Sequence, residues 1–113
     1  MPQSATVLHP TLRSFERDVI HAKLPVLVDF GAAWCPPCLT LRPELEAAAR
    51  ALAGQARVAS ISVDEERELA EAYGAVTLPA LLLFKGGDVV DAWVGFTPTA
   101  RIVERVRSHL DGA

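Results

Sequence analysis

Residues 25–38 read PVLVDFGAAWCPPC. The apolar run from Val26 to Phe30, broken by a single carboxylate at Asp29, leads through a short Gly-Ala-Ala-Trp segment into Cys35 and Cys38, with Pro36 and Pro37 between them. A near-continuous apolar run suits a strand covered on both faces of a sheet. Prolines are well placed in the first turn of a helix, where an amide proton has no partner in any case. The stretch therefore reads as buried strand, tight turn and helix start, with Cys38 one helical turn beyond Cys35.

Working outward, the following helix is expected from about Cys35 to Ala53, with Leu45, Ala48, Ala49 and Leu52 on its buried side and Pro43 inside it. Toward the N-terminus, residues 5–8 (ATVL) read as a short strand. Residues 10–22 (PTLRSFERDVIHA) read as a helix with Leu12, Phe15 and Val19 on one face and Thr11 as its cap. Beyond the cysteines, RVASISV (57–63) is strand-like, DEERELAEAYG (64–74) is helical and closed by Gly74, and ALLLF (80–84) is another buried strand. The KGGD turn (85–88) should fold VVDAWVG (89–95) back antiparallel on ALLLF, and a last helix should begin at Thr97 with the stripe Ile102, Val103, Val106 and Leu110. Together these predict an α/β fold: a central mixed five-stranded sheet flanked by helices on both faces, in one domain spanning 1–113.

Composition agrees with that reading. Half of the 113 residues are hydrophobic and 22% are charged, enough apolar surface for an ordinary globular core without metals or several disulfides. Eleven Lys and Arg against 14 Asp and Glu give no basic footprint for nucleic acid. The N-terminal residues carry no basic start followed by a long apolar run, and no stretch reaches the length of a membrane span, so a cytoplasmic protein without a membrane partner is expected.

The two thiols admit three chemistries. A zinc site needs about four ligands, and His9, His21 and His109 stand at no spacing that completes one with the cysteines, so no metal is expected. A structural staple closing so short a loop would stabilise by only about 2 kcal/mol before strain. A reversible redox couple asks for a dithiol at a strand-to-helix turn, where the helix N-terminus favours a thiolate, and Cys35 occupies that place. Redox chemistry fits best, with staple and metal left open at this level. Asp29, the one charge in its strand, should have a raised pKa from burial and so be able to exchange protons near neutrality. The bland alternative is an Asp that simply ends a strand at a turn.

The combination VDF, then AAWCPPC, then TLP before ALLLFKGG, then VG before the last helix, resembles the thioredoxin family over nearly the whole chain. The resemblance implies the thioredoxin fold and protein disulfide reduction by thiol–disulfide exchange, with Cys35 attacking, Cys38 resolving and Asp29 accepting the Cys38 proton through a water molecule. It implies a substrate groove formed by Trp34, Thr77, Leu78, Pro79 and Gly95. It also implies a cis Leu78–Pro79 bond, against the ordinary trans preference, with Leu78 pairing its backbone to the substrate as an added strand. No bound cofactor is implied beyond the Cys35–Cys38 disulfide itself. The implied partners are protein disulfides and an external electron donor such as a thioredoxin reductase, and a monomer is expected. A disulfide isomerase or oxidant would use the same residues, and a binding module would use the same groove without turnover; the reduction potential separates the first pair.

The chain departs from the family pattern at several places. Gly31 stands where many members have Trp, Leu39 where a lysine often follows the second cysteine, and Ser60 where another lysine often lies near the buried acid. The Pro36-Pro37 pair replaces the common Gly-Pro and should tune the couple: Pro36 lacks an amide proton, which leaves the amides of Cys38 and Leu39 to face the Cys35 sulfur.

Overall fold

A computed structural model describes residues 6–110. Within it a four-stranded sheet has the order β2-β1-β3-β4, with β1 Val26–Gly31, β2 Arg57–Ser62, β3 Ala80–Lys85 and β4 Asp88–Val94. β1 runs parallel to β2 and antiparallel to β3, and β3 pairs antiparallel with β4. The sheet is mixed because the β1–β2 connection crosses over through a helix, α1 (Pro36–Ala51), whereas β3 and β4 are joined by Gly86-Gly87. Both of those glycines have positive φ, 63° and 86°, the pair of left-handed residues a two-residue hairpin turn demands.

Alternation along β1 divides the core in two. Leu27 faces a cluster with Leu41, Leu45, Ala48, Ala49 and Leu52 of α1 and with Ile102, Val103 and Val106 of the last helix. Val26, Val28 and Phe30 face Phe15, Val19, Leu69 and Ala70 on the other side. All six residues of β1 are buried, as its apolar run requires. Two further helices, α2 (Arg67–Ala72) and α3 (Thr99–Arg107), complete the layers, and Gly74 with φ of 66° follows α2 at its end.

Three expectations are corrected. The sheet has four strands among the described residues, not five: of the expected strand at 5–8, Ala5 lies outside them, and Leu8 alone makes a parallel bridge to Ala59. Leu8 N–H donates to Val58 and Leu8 C=O accepts from Ser60, both at 2.8 Å; Pro10, which has no N–H to give, follows two residues later. The helix expected over 10–22 is a turn from Thr11 followed by a short π-helix, Glu16–Ile20. Phe15 and Val19 are buried there, but Leu12 is exposed and its N–H donates to Glu66 Oε1 at 2.9 Å. The last helix begins at Thr99 rather than Thr97, with Pro98 as an extended N-cap. Glu44 of α1 explains the shift: its Oε1 accepts from the Thr99 N–H at 2.8 Å and from the Thr99 hydroxyl at 2.6 Å, satisfying the first-turn amide from another helix.

Candidate active site

The first turn of α1 carries the dithiol. Cys35 is the N-cap, with extended φ and ψ, and Pro36 and Pro37 fill the first two helical positions. The N–H groups of Cys38 and Leu39 both donate to the Cys35 carbonyl, at 3.0 and 3.1 Å. The expectation that these amides face the Cys35 sulfur is thereby corrected: an N-cap carbonyl accepts the first helical bonds, and it holds both protons. Cys35 and Cys38 form a disulfide, with Cα atoms 5.2 Å apart. They are equally buried, at 5% and 4% exposure, so a difference in shelter does not separate them. Their surroundings do.

Cys35 adjoins Trp34, which is 67% exposed and whose indole N–H donates to Asp64 Oδ2 at 2.7 Å. Leu78 packs against the two cysteines and Ala32. The Leu78–Pro79 bond is cis. Gly95 N–H donates to the Pro79 carbonyl at 2.8 Å, and its φ of 99° is a conformation that favours glycine. Trp34 thus precedes the first sulfur, Leu78 packs on the dithiol, and Pro79 and Gly95 are joined to each other at the adjoining ends of β3 and β4, with Thr77 exposed. The ladders on both sides of β3 stop at Ala80, so the Leu78 backbone lies beyond them. Leu39, one residue past Cys38, is exposed and adds apolar surface.

Cys38 looks inward toward Asp29. Leu27, Asp29 and Gly31 share the α1 side of β1, and Asp29 is only 3% exposed. A Cβ placed on Gly31 would sit 3.4 Å from Cys38 Sγ and 3.6 Å from Asp29 Oδ2, which puts these two atoms no more than about 7 Å apart. Burial raises the Asp29 pKa to about 7, with the Ser60 hydroxyl and the charge of Arg42 lowering it in part. Ser60 lies opposite Asp29 in the β1–β2 register, and its hydroxyl donates to Oδ2 at 3.3 Å. Oδ1 has no partner. A cavity of about 270 Å³ opens beside this pair and is lined by Cys38 and Asp29 but not by Cys35. Arg42 and Asp64 were not singled out in the sequence; their position one helical turn after Cys38, and shortly after the second strand, is the only signal that could have found them.

Among the described residues no cluster of three metal-ligating side chains forms. What remains is a disulfide with the exposed Trp34 on the Cys35 side and a buried carboxyl of raised pKa on the Cys38 side.

A family model described as Thioredoxin matches residues 6–108. Thioredoxin C-2 of Corynebacterium nephridii is 39% identical over 107 residues, covering 95% of this chain and 99% of its own length. The thioredoxin of Chlorobaculum thiosulfatiphilum is 38% identical over 100 residues, with 88% and 93% covered. Thioredoxin 1 of Nostoc sp. is 36% identical over 97 residues, with 86% and 91% covered.

Proposed function

The chain belongs to the thioredoxin family and is a protein disulfide reductase acting by thiol–disulfide exchange; from that premise we propose how its own residues divide the reaction. Cys35 attacks. As the N-cap of α1 it lies where the helix dipole favours an anion, and it adjoins the exposed face of Trp34. The substrate strand lies along Leu78, whose backbone continues β3 past the end of its ladder, between Trp34 and the Thr77, Pro79 and Gly95 segments. A mixed disulfide between Cys35 and the substrate is then broken by Cys38.

Asp29 takes the Cys38 proton during that second step. A carboxyl with a pKa of about 7 is present in both forms at neutral pH, which suits a base that must also be reset. The separation of at most about 7 Å from Cys38 Sγ suits a relay through one water molecule. Pro36 and Pro37 stiffen the turn between the sulfurs and tune the couple. The observation that carries the division of labour is the placement of Asp29 beside the cavity that touches Cys38 and not Cys35.

The proposal extends to the setting. Residues 1–113 act as one monomeric domain in the cytoplasm, where dithiols are kept reduced. An external donor such as a thioredoxin reductase restores the dithiol, and protein disulfides consume it. Replacing Cys38 by Ser should accumulate mixed disulfides with protein substrates through Cys35, and replacing Cys35 by Ser should not. Mass spectrometry of captured proteins reads this, and equal capture by both variants would reverse the assignment.

A further inference from the structure

Asp29 sits between uncharged partners in the sheet. Its paired positions are Ser60 on β2 and Leu81 on β3. Ser60 gives Oδ2 one hydrogen bond of 3.3 Å, and Oδ1 has none. Neither strand therefore supplies a charge that would favour the carboxylate, while burial favours the neutral acid. Any charge that acts on Asp29 does so through the cavity of about 270 Å³ beside it, which His9, Arg42, Glu65 and Glu66 line together with Cys38.

These four side chains are not equivalent. Glu66 is tied to the N-terminal segment, where its Oε1 accepts from the Leu12 N–H at 2.9 Å. His9 and Glu65 are exposed, and the ionisation of Asp29 feels neither. Burial raises the Asp29 pKa, and among the charged groups of the described residues only Arg42 lowers it. Helix α1 explains the selectivity. Arg42 follows Cys38 by four residues and so lies one turn along the same face. That face is turned to β1, since a Cβ placed on Gly31 would lie 3.4 Å from Cys38 Sγ and 3.6 Å from Asp29 Oδ2. A long side chain keeps its guanidinium in water while its charge faces the buried acid through the opening. Arg42 is exposed, and among the described residues no ion pair draws its charge elsewhere.

We infer that Arg42 is a positioning residue for the exchange reaction: from the mouth of the cavity it holds Asp29 in its carboxylate form, as the base that Cys38 needs. The inference rests on the reading of Asp29 as that base. It adds the one cation of the cavity wall, supplied by α1 and not by the sheet.

In the step concerned, the Asp29 carboxylate takes the Cys38 thiol proton through a water molecule. The Cys38 thiolate attacks Cys35 Sγ, the bond between Cys35 and the substrate sulfur breaks, and solvent protonates the departing substrate thiolate. Asp29 then returns its proton to solvent. Only the ionised fraction of Asp29 can start this step. With a midpoint of about 7 that fraction responds most steeply near neutral pH, so a single exposed cation changes it measurably.

The test reads Asp29 and the exchange separately. In the disulfide form, where neither sulfur titrates, the Asp29 carboxyl carbon is followed by NMR against pH in the full-length protein and in Arg42→Gln, Arg42→Glu and Arg42→Lys. The midpoint should rise by roughly half a pH unit in Arg42→Gln, rise further in Arg42→Glu and stay within about 0.2 in Arg42→Lys. The reduced proteins are then mixed with the neutral disulfide dithiodipyridine, which releases one pyridinethione when Cys35 attacks and a second when Cys38 resolves. In Arg42→Gln the second phase should slow roughly twofold at pH 7 and match the unsubstituted protein at pH 9, while the first phase keeps its rate. Arg42→Lys should restore the second phase. A midpoint unmoved in both Arg42→Gln and Arg42→Glu, or equal slowing of the two phases, overturns the inference. A midpoint that moves while the second phase keeps its pH dependence overturns instead the reading of Asp29 as the base, and Arg42 then has no part in turnover.

Discussion

The Asp29 carboxyl and the Ser60 hydroxyl face each other across the parallel β1–β2 register, joined at 3.3 Å. That bond reaches Oδ2 only, and Oδ1 is buried without a partner. A carboxyl so poorly satisfied in an apolar strand is easier to fold protonated than ionised. The same deficiency that raises the Asp29 pKa therefore costs stability.

The sign of that cost can be worked out. Folding raises the Asp29 pKa from its ordinary 3.8 to about 7, so between these values the folded chain holds a proton that the unfolded chain has lost. Stability should fall as pH rises from about 4 to about 7 and then level off, by an amount on the order of 4 kcal/mol if nothing relaxes. Asp29→Asn should flatten this slope, raise stability at pH 8 and slow disulfide exchange. Urea melts at pH 5 and pH 8, with insulin reduction alongside, check it; an unchanged rate with lost stability would make Asp29 a structural carboxyl.

On the opposite edge, Asp91 of β4 receives both Arg105 Nε at 2.8 Å and Arg105 Nη2 at 3.0 Å, and approaches His109 Nε2 at 3.1 Å. The Arg105 guanidinium also lies 4.2 Å over the Trp93 ring. These contacts clamp α3 to β4. The Arg105 hydrogen bond is the main cause holding the Asp91 carboxyl below its usual pKa, so its stabilisation is present above about pH 4 and is lost as pH falls through the folded value. With Arg105 about two-fifths exposed, solvent screens the pair, and Arg105→Ala should cost about 1–2 kcal/mol near pH 7. The deficit should shrink in acid. Paired denaturant melts at pH 7 and pH 3 measure both.

How far the sequence could be read depended on the range of each interaction. Periodicity is local, so it placed β1, α1 and the Gly86-Gly87 hairpin, and burial of Leu45, Ala48, Ala49 and Leu52 followed from spacing alone. The cysteines and Asp29 were legible because each is anomalous in its own segment. The start of α3 was not, since it is fixed by Glu44, 55 residues away. Nor was the π-helix, because Phe15 and Val19 fit an ordinary helical face while Leu12 is held outward by a bond to Glu66. Ser60 could be placed near the acid by resemblance, but the cavity that Gly31 and Ser60 border emerges only when β1, β2 and α1 are packed together.

Trp34 joins the two kinds of information, since its place before Cys35 was legible and its partner Asp64 was not. An indole two-thirds exposed contributes little to the core. Trp34→Phe keeps a ring but loses the N–H bond that fixes its orientation, so kcat/KM for a protein disulfide should fall roughly fivefold, the equivalent of about 1 kcal/mol. Stability should change by less than about 0.5 kcal/mol. Steady-state insulin reduction and a thermal melt separate the two, and a loss of stability without loss of activity would assign Trp34 to packing.

The double proline sets the last expectation. Pro36 and Pro37 occupy the two helical positions whose amides would point past the Cys35 carbonyl, and the next two amides are already held by that carbonyl. The Cys35 thiolate therefore draws little hydrogen bonding from its own helix. Pro36→Gly returns one N–H to the turn, and a single such bond, worth on the order of 1 kcal/mol, favours the reduced form by roughly 20 mV for a two-electron couple. Glycine also loosens the segment between the sulfurs, which weakens the disulfide and acts in the same direction. The potential should become less negative by about 20–40 mV, leaving the protein a reductant. Equilibration with glutathione buffers measures it. A more negative potential, or a rise above about 60 mV, would mean that the prolines govern the couple by a route other than the missing amide and the stiffness of the turn.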